Sequence, residues 1–88
     1  MGVEVTAEDF AYSPDGIEID AGTELAMTNR GYSFHDLKVE GEPGVLIRRV
    51  AAGETGRAMV DLPPGSYTIY CTIDDHREQG MDGTLLVR

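Results

Sequence analysis

The sequence predicts an all-β fold: one domain built as an antiparallel β-sandwich of seven to eight short strands. Three observations predict it. Apolar residues recur with period two along the chain and not with the 3.6 period of a helix. Turn-forming clusters of Gly, Pro, Asn and Asp interrupt these runs at short intervals. The chain has 88 residues, which suits a single core and no more.

The elements follow in order. Val3, Val5 and Ala7 alternate with Glu4, Thr6 and Glu8, and Ser13-Pro14-Asp15-Gly16 supplies a turn. Ile17 and Ile19 alternate with Glu18 and Asp20 up to Ala21-Gly22-Thr23. Leu25 and Met27 form the next run, which Asn29-Arg30-Gly31 ends. Leu37 and Val39 stand against Lys38 and Glu40, before Gly41-Glu42-Pro43-Gly44. The stretch from Pro43 to Val50 reads as a short strand or an irregular connection. After Ala52-Gly53-Glu54, Ala58 and Val60 make a shorter pattern, closed by Pro63-Pro64-Gly65. Tyr67 and Ile69 alternate with Thr68 and Tyr70, and Leu85 and Val87 close the chain. Half-buried strands produce this alternation, one face on the core and one in water. Prolines and glycines fall between the runs, where a strand tolerates them. Met27 and Met59 occupy strand positions and read as packing residues. No segment reads as a helix.

Bulk charge narrows the partners. Sixteen acidic against seven basic residues give a net charge of −9. Nucleic acid is disfavoured, because its phosphates would be repelled. A partner protein with a basic surface is permitted, since opposite fields steer encounter; solubility alone also accounts for the charge. Arg48-Arg49 is too short to count as a basic patch. No apolar run approaches the roughly 18 residues of a membrane span, and no stretch reads as a signal peptide. A monomer is the expectation for so acidic a small chain. The single Cys excludes an internal disulfide. It is a buried filler, a reactive thiol or a metal ligand.

The segment from Tyr70 to Thr84 carries the chemistry. It holds Cys71, His76 and Met81 in the spacing Cys-x4-His-x4-Met, between the end of one strand and the start of the last. A loop of this length can fold back so that the three side chains converge. The other histidine, His35, opens the Leu37–Val39 strand. Cys71 shares parity with Tyr67 and Ile69, and His35 with Leu37 and Val39, so both should point inward. A thiolate is soft and imidazole suits either copper oxidation state. Two imidazoles and a thiolate in a plane with a distant thioether make a blue-copper electron-transfer site. Plainer roles remain open. Cys71 could be a core filler, His35 a satisfied core histidine, and His76 a solvated loop residue among Asp74, Asp75, Arg77 and Glu78. The same set could also hold zinc tetrahedrally. Asp74 and Asp75 look like paired carboxylates but lack an identifiable substrate pocket.

The segment resembles the ligand loop of the cupredoxins, the blue (type 1) copper proteins of the plastocyanin/azurin kind. The resemblance covers nearly the whole chain. It includes Phe10-Ala11-Tyr12-Ser13-Pro14, Ile17-Glu18-Ile19-Asp20-Ala21-Gly22-Thr23, Asn29 and His35-Asp36. It continues through Leu62-Pro63-Pro64-Gly65-Ser66-Tyr67, Tyr70-Cys71 and Gly80-Met81-Asp82-Gly83-Thr84-Leu85. It implies a Greek-key sandwich with one copper, Cu+ or Cu2+, near one end. It implies His35, Cys71 and His76 as equatorial ligands and Met81 as the axial one. It places His76 near the surface, where electrons enter or leave. It gives Asp36 the task of tying the two ligand-bearing loops together near the sulfur. It also implies redox partner proteins and a periplasmic or extracellular setting.

The spacing is similar to the blue-copper loop of multicopper oxidases as well, but the flanks differ. Tyr70 and Thr72 stand where the oxidases carry histidines for a three-copper cluster. Both histidines of the chain would be used by one mononuclear site, leaving none for a second copper centre. An electron carrier without catalysis of its own is therefore expected. Copper storage or delivery with the same ligands ranks lower, because no Met-rich or His-rich tract is present. An immunoglobulin-like interaction module is a third reading, under which copper would leave thermal stability unchanged.

Overall fold

Alternating apolar residues give each strand one inward face, and two sheets bury those faces against each other. The protein is described here by a computed structural model, which covers residues 2–88. Its strands are β1 (Val3–Glu8), β2 (Ala11–Ser13), β3 (Gly16–Ile19), β4 (Thr23–Asn29), β5 (His35–Val39), β6 (Ile47–Val50), β7 (Thr55–Val60), β8 (Gly65–Tyr70) and β9 (Asp82–Val87). One sheet has the order β2-β1-β4-β7 and the other β3-β9-β8-β5-β6. No helix occurs among the described residues.

The all-β sandwich agrees with the sequence, with two refinements. Among the described residues there are nine strands rather than seven or eight. The additions are β2, at three residues too short to show a period, and β6, which lies within the ambiguous Pro43–Val50 stretch. The sheets are also mixed rather than wholly antiparallel. β1 pairs with β4, and β3 with β9, in parallel. The chain leaves the first sheet after β2, forms β3 in the second, and returns as β4 beside β1. That excursion lets β4 run in the direction of β1, which a tight hairpin cannot do.

The core forms where the faces meet. Val5, Ala7, Leu25, Met27 and Val60 come from the first sheet, and Ile17, Ile19, Leu37, Val39, Ile47, Ile69, Leu85 and Val87 from the second. Each such aliphatic side chain contributes about 1.5–3 kcal/mol when fully buried. Met27 packs there as expected, but Met59 does not: it is 56% exposed. Val60 takes the inward parity of β7, so Met59 must face water.

Strand register brings the chemistry to one pole. Lys38 pairs with Tyr70 and Val39 with Ile69, so the start of β5 lies beside the end of β8. Tyr70 pairs with Asp82, which sets Cys71 opposite Met81. The Cys71 N–H donates to the Met81 carbonyl at 3.2 Å. The β5–β6 ladder is irregular between His35 and Leu37. Such irregularities re-aim side chains, and here His35, Asp36 and Leu37 are all buried in succession.

Candidate metal centre

Residues 73–79 wind over this pole as successive turns. His76 N–H donates to the Ile73 carbonyl and Gln79 N–H to the His76 carbonyl. Gly80, at φ +113°, ends the winding in a conformation that favours glycine. Met81 N–H then returns to the His76 carbonyl at 3.0 Å. The loop thereby fixes its own shape while delivering His76 and Met81 to the end of β8.

His35, Cys71, His76 and Met81 are all buried. The Cys71 Sγ lies 4.0 Å from His35 Nδ1 and 3.5 Å from His76 Nδ1. One donor atom from each of these three residues falls within 4.8 Å of the others. First-row metal bonds of about 2.0 Å to nitrogen and 2.3 Å to sulfur, opened to about 120°, separate N and S by about 3.7 Å. The observed spacings bracket that value, so the set fits one ion. Its softness suits copper. Met81 is held by its backbone between Cys71 and His76, with its side chain fully buried.

Hydrogen bonds aim the donors. His35 Nε2 lies 3.0 Å from Asp9 Oδ1. An ionised carboxylate only accepts, so Nε2 carries the hydrogen and the Nδ1 lone pair faces Cys71. Burial pushes the Asp9 carboxyl up, but hydrogen bonds from His35 and from the Tyr32 and Ser33 amides outweigh it and hold the group below its ordinary value. Burial pushes the Cys71 thiol up, while hydrogen bonding to the Asp36 and Ile73 backbone pulls the other way. An arriving metal ion would displace that proton.

Asp36 sits where the sequence placed it. Its carboxylate accepts the Thr72 N–H and the Thr72 hydroxyl, joining the residue after His35 to the residue after Cys71. The Tyr12 hydroxyl donates to the Asp36 carbonyl at 2.6 Å and steadies the same segment.

His76 is not a solvated loop residue. It is only 4% exposed. Phe10 lies edge-on to it, with ring centroids 5.1 Å apart and planes at 71°. Phe10 occupies the second position of the two-residue β1–β2 turn at φ 68°, where glycine or asparagine is usual. That backbone carries the ring over the loop and shields the imidazole. Asp74 and Asp75 do not converge on a pocket; Asp75 accepts from its neighbour Gln79 at 3.3 Å. Asp9 went unseen in the sequence, where nothing separates it from fifteen other acidic residues.

Comparison with known proteins agrees with this geometry. The protein-family model for copper binding proteins of the plastocyanin/azurin family matches residues 1–88. Plastocyanin of the fern Dryopteris crassirhizoma is 32% identical over 102 residues, covering 98% of each chain. The solved oxidised form of plastocyanin from that fern superposes with a TM-score of 0.75 at 25% identity, covering 98% of this chain and all of the other. Auracyanin B superposes with a TM-score of 0.83 over 99% of this chain and 88% of the other, at 24% identity.

Proposed function

The chain belongs to the plastocyanin/azurin family of copper-binding proteins, and from that premise we propose that it is a mononuclear blue-copper protein carrying single electrons between redox partners. The convergence of the Cys71 thiol with the Nδ1 atoms of His35 and His76 at a buried pole is the observation that carries this reading. His35, Cys71 and His76, with Met81 buried beside them, would hold the copper. The copper supplies the Cu(I)/Cu(II) couple.

The chain supplies everything that keeps that couple fast. Burial of all four side chains excludes water from the donors. The Asp9 hydrogen bond and the Asp36–Thr72 pair hold the ligand-bearing segments before any metal arrives. Donors fixed in this way have little to rearrange when the charge of the site changes. His76 and its Phe10 cover form the edge of the site nearest the loop surface, and we assign electron entry and exit to that edge. The net charge of −9 favours partners with basic surfaces. A monomeric, single-domain carrier in an extracytoplasmic compartment completes the reading. No helix among the described residues is long and apolar enough to cross a membrane.

Copper delivery with the same ligands gains no support. Its donors would need to open towards an acceptor, whereas these are enclosed. The deciding experiment adds Cu(II) to the apoprotein. An intense blue band from thiolate-to-copper charge transfer is expected, lost in Cys71→Ser and bleached reversibly by one electron. A colourless adduct of the intact chain would sink the proposal. Cu(I) competition and self-exchange measurements separate a carrier, which retains copper, from a donor, which gives it up.

A further inference from the structure

We propose that Asp9 is a positioning residue that sets the donor strength of His35, and through it the balance between Cu(II) and Cu(I). The inference rests on His35 being a ligand, as proposed above.

The two-residue β1–β2 turn, Asp9-Phe10, touches both histidines. Phe10 covers His76, and Asp9 bonds His35. The Asp9 carboxylate is itself fixed by the loop between β4 and β5. Its Oδ1 accepts from Tyr32 N–H at 3.0 Å and Ser33 N–H at 3.3 Å, and its Oδ2 lies 3.2 Å from the Tyr32 N–H. Asn29 braces the same loop. Its Nδ2 donates to the Ser33 and Val50 carbonyls, and its Oδ1 accepts the Gly31 N–H, each at 2.8 Å.

Gly31 leaves the space in which carboxylate and imidazole meet. A Cβ there would press on Asp9 Oδ1 and stand 2.9 Å from His35 Nε2. Every larger residue would push the two groups apart. The carboxylate is only 30% exposed, so water weakens the bond less than it would at an open surface.

A negative charge hydrogen-bonded to the Nε2–H makes the opposite ring nitrogen more basic. The more basic Nδ1 favours the ion of higher charge, so Asp9 stabilises Cu(II) over Cu(I) and lowers the reduction potential. If Asp9 were only a cap for the Tyr32 and Ser33 amides, removing its charge would leave the His35 Nε2–H proton unmoved.

Asp9→Asn separates the two roles, because the amide oxygen can accept the same hydrogen bonds without the charge. Wild type, Asp9→Asn and Gly31→Ala are loaded with copper, and their potentials and Cu(I)-state 15N NMR spectra recorded. Both variants should shift the Cu(II)/Cu(I) affinity ratio about tenfold towards Cu(I), a rise of about 59 mV for one electron. The His35 Nε2–H proton should move upfield in Asp9→Asn. Wild-type potential and an unmoved proton in a folded, blue Asp9→Asn protein would overturn the inference. Failure of the wild type to turn blue would instead refute the functional reading, before any variant is compared.

Discussion

The Asp36 carboxylate is joined to Thr72 twice, by a 2.7 Å hydrogen bond from the backbone N–H and a second from the hydroxyl. Each partner directly follows a donor residue in the sequence, His35 in one case and Cys71 in the other. The pair therefore fixes the spacing of sulfur and imidazole from outside the site. Asp36 is buried, so water cannot replace the bonds it makes.

Removing that link should loosen the donor set. Asp36→Ala is expected to lower copper affinity about 10–100-fold, the usual effect of losing an outer hydrogen-bond partner. Asp36→Asn keeps an acceptor for the Thr72 N–H and should lose less. Competition titration against a chelator gives both values, and equal affinity in Asp36→Ala and wild type would contradict the assigned role.

Copper uptake should release a proton from Cys71. The buried thiol is raised, so it is protonated in the apoprotein at neutral pH. Apparent affinity should then climb with pH, about tenfold per unit for a single proton released, until the thiol ionises unaided. Copper should also raise the melting temperature, by about 2.7 kcal/mol of stability at a free concentration one hundred times Kd. Titrations at two pH values and melting curves with and without copper test both points. A pH-independent affinity would mean that the thiol is not the proton source.

Gly56 sets how closely β7 approaches β6. A Cβ there would lie 2.7 Å from the Cγ2 atoms of both Ile47 and Val50. Neither neighbour can retreat, since both are buried. Overpacking costs about 1–3 kcal/mol, against about 0.4–1 kcal/mol gained by stiffening the unfolded chain. Gly56→Ala should therefore lower the apoprotein melting temperature by several degrees, and Gly56→Val by more. An unchanged midpoint for Gly56→Val would show that the sheets can separate at no cost.

Tyr12 should make the fold sensitive to alkali. Burial first, and then the negative neighbours Cys71, Asp36 and Asp82, push its phenol far above the ordinary value. The native state thus keeps Tyr12 protonated while the unfolded chain ionises it near pH 10. Its contribution is complete below about pH 10 and declines as the pH rises beyond it. Tyr12→Phe should cost about 1 kcal/mol at neutral pH through the lost bond to the Asp36 carbonyl, and its stability should fall less steeply above pH 10. Urea unfolding from pH 8 to 11 compares the slopes; identical slopes would clear Tyr12 of the effect.

Several features were legible because they depend on near neighbours in the chain. Alternation marked seven of the strands, and the same parity turned Cys71 and His35 inward. The loop from Cys71 to Met81 could be recognised by spacing alone. β2 is illegible because three residues show no period, and Met59 faces water because Val60 beside it takes the inward parity of β7.

The chain's alternation and the spacing of His35, Cys71, His76 and Met81 determined which fold would form and which atoms could gather at its end. Sheet order decided the rest. It made two strand pairs parallel, enclosed His76 beneath Phe10, and carried Asp9 to His35 across 26 positions of sequence. A strand's period follows from the residues beside it, whereas a hydrogen bond between distant turns exists only once the sheets have closed.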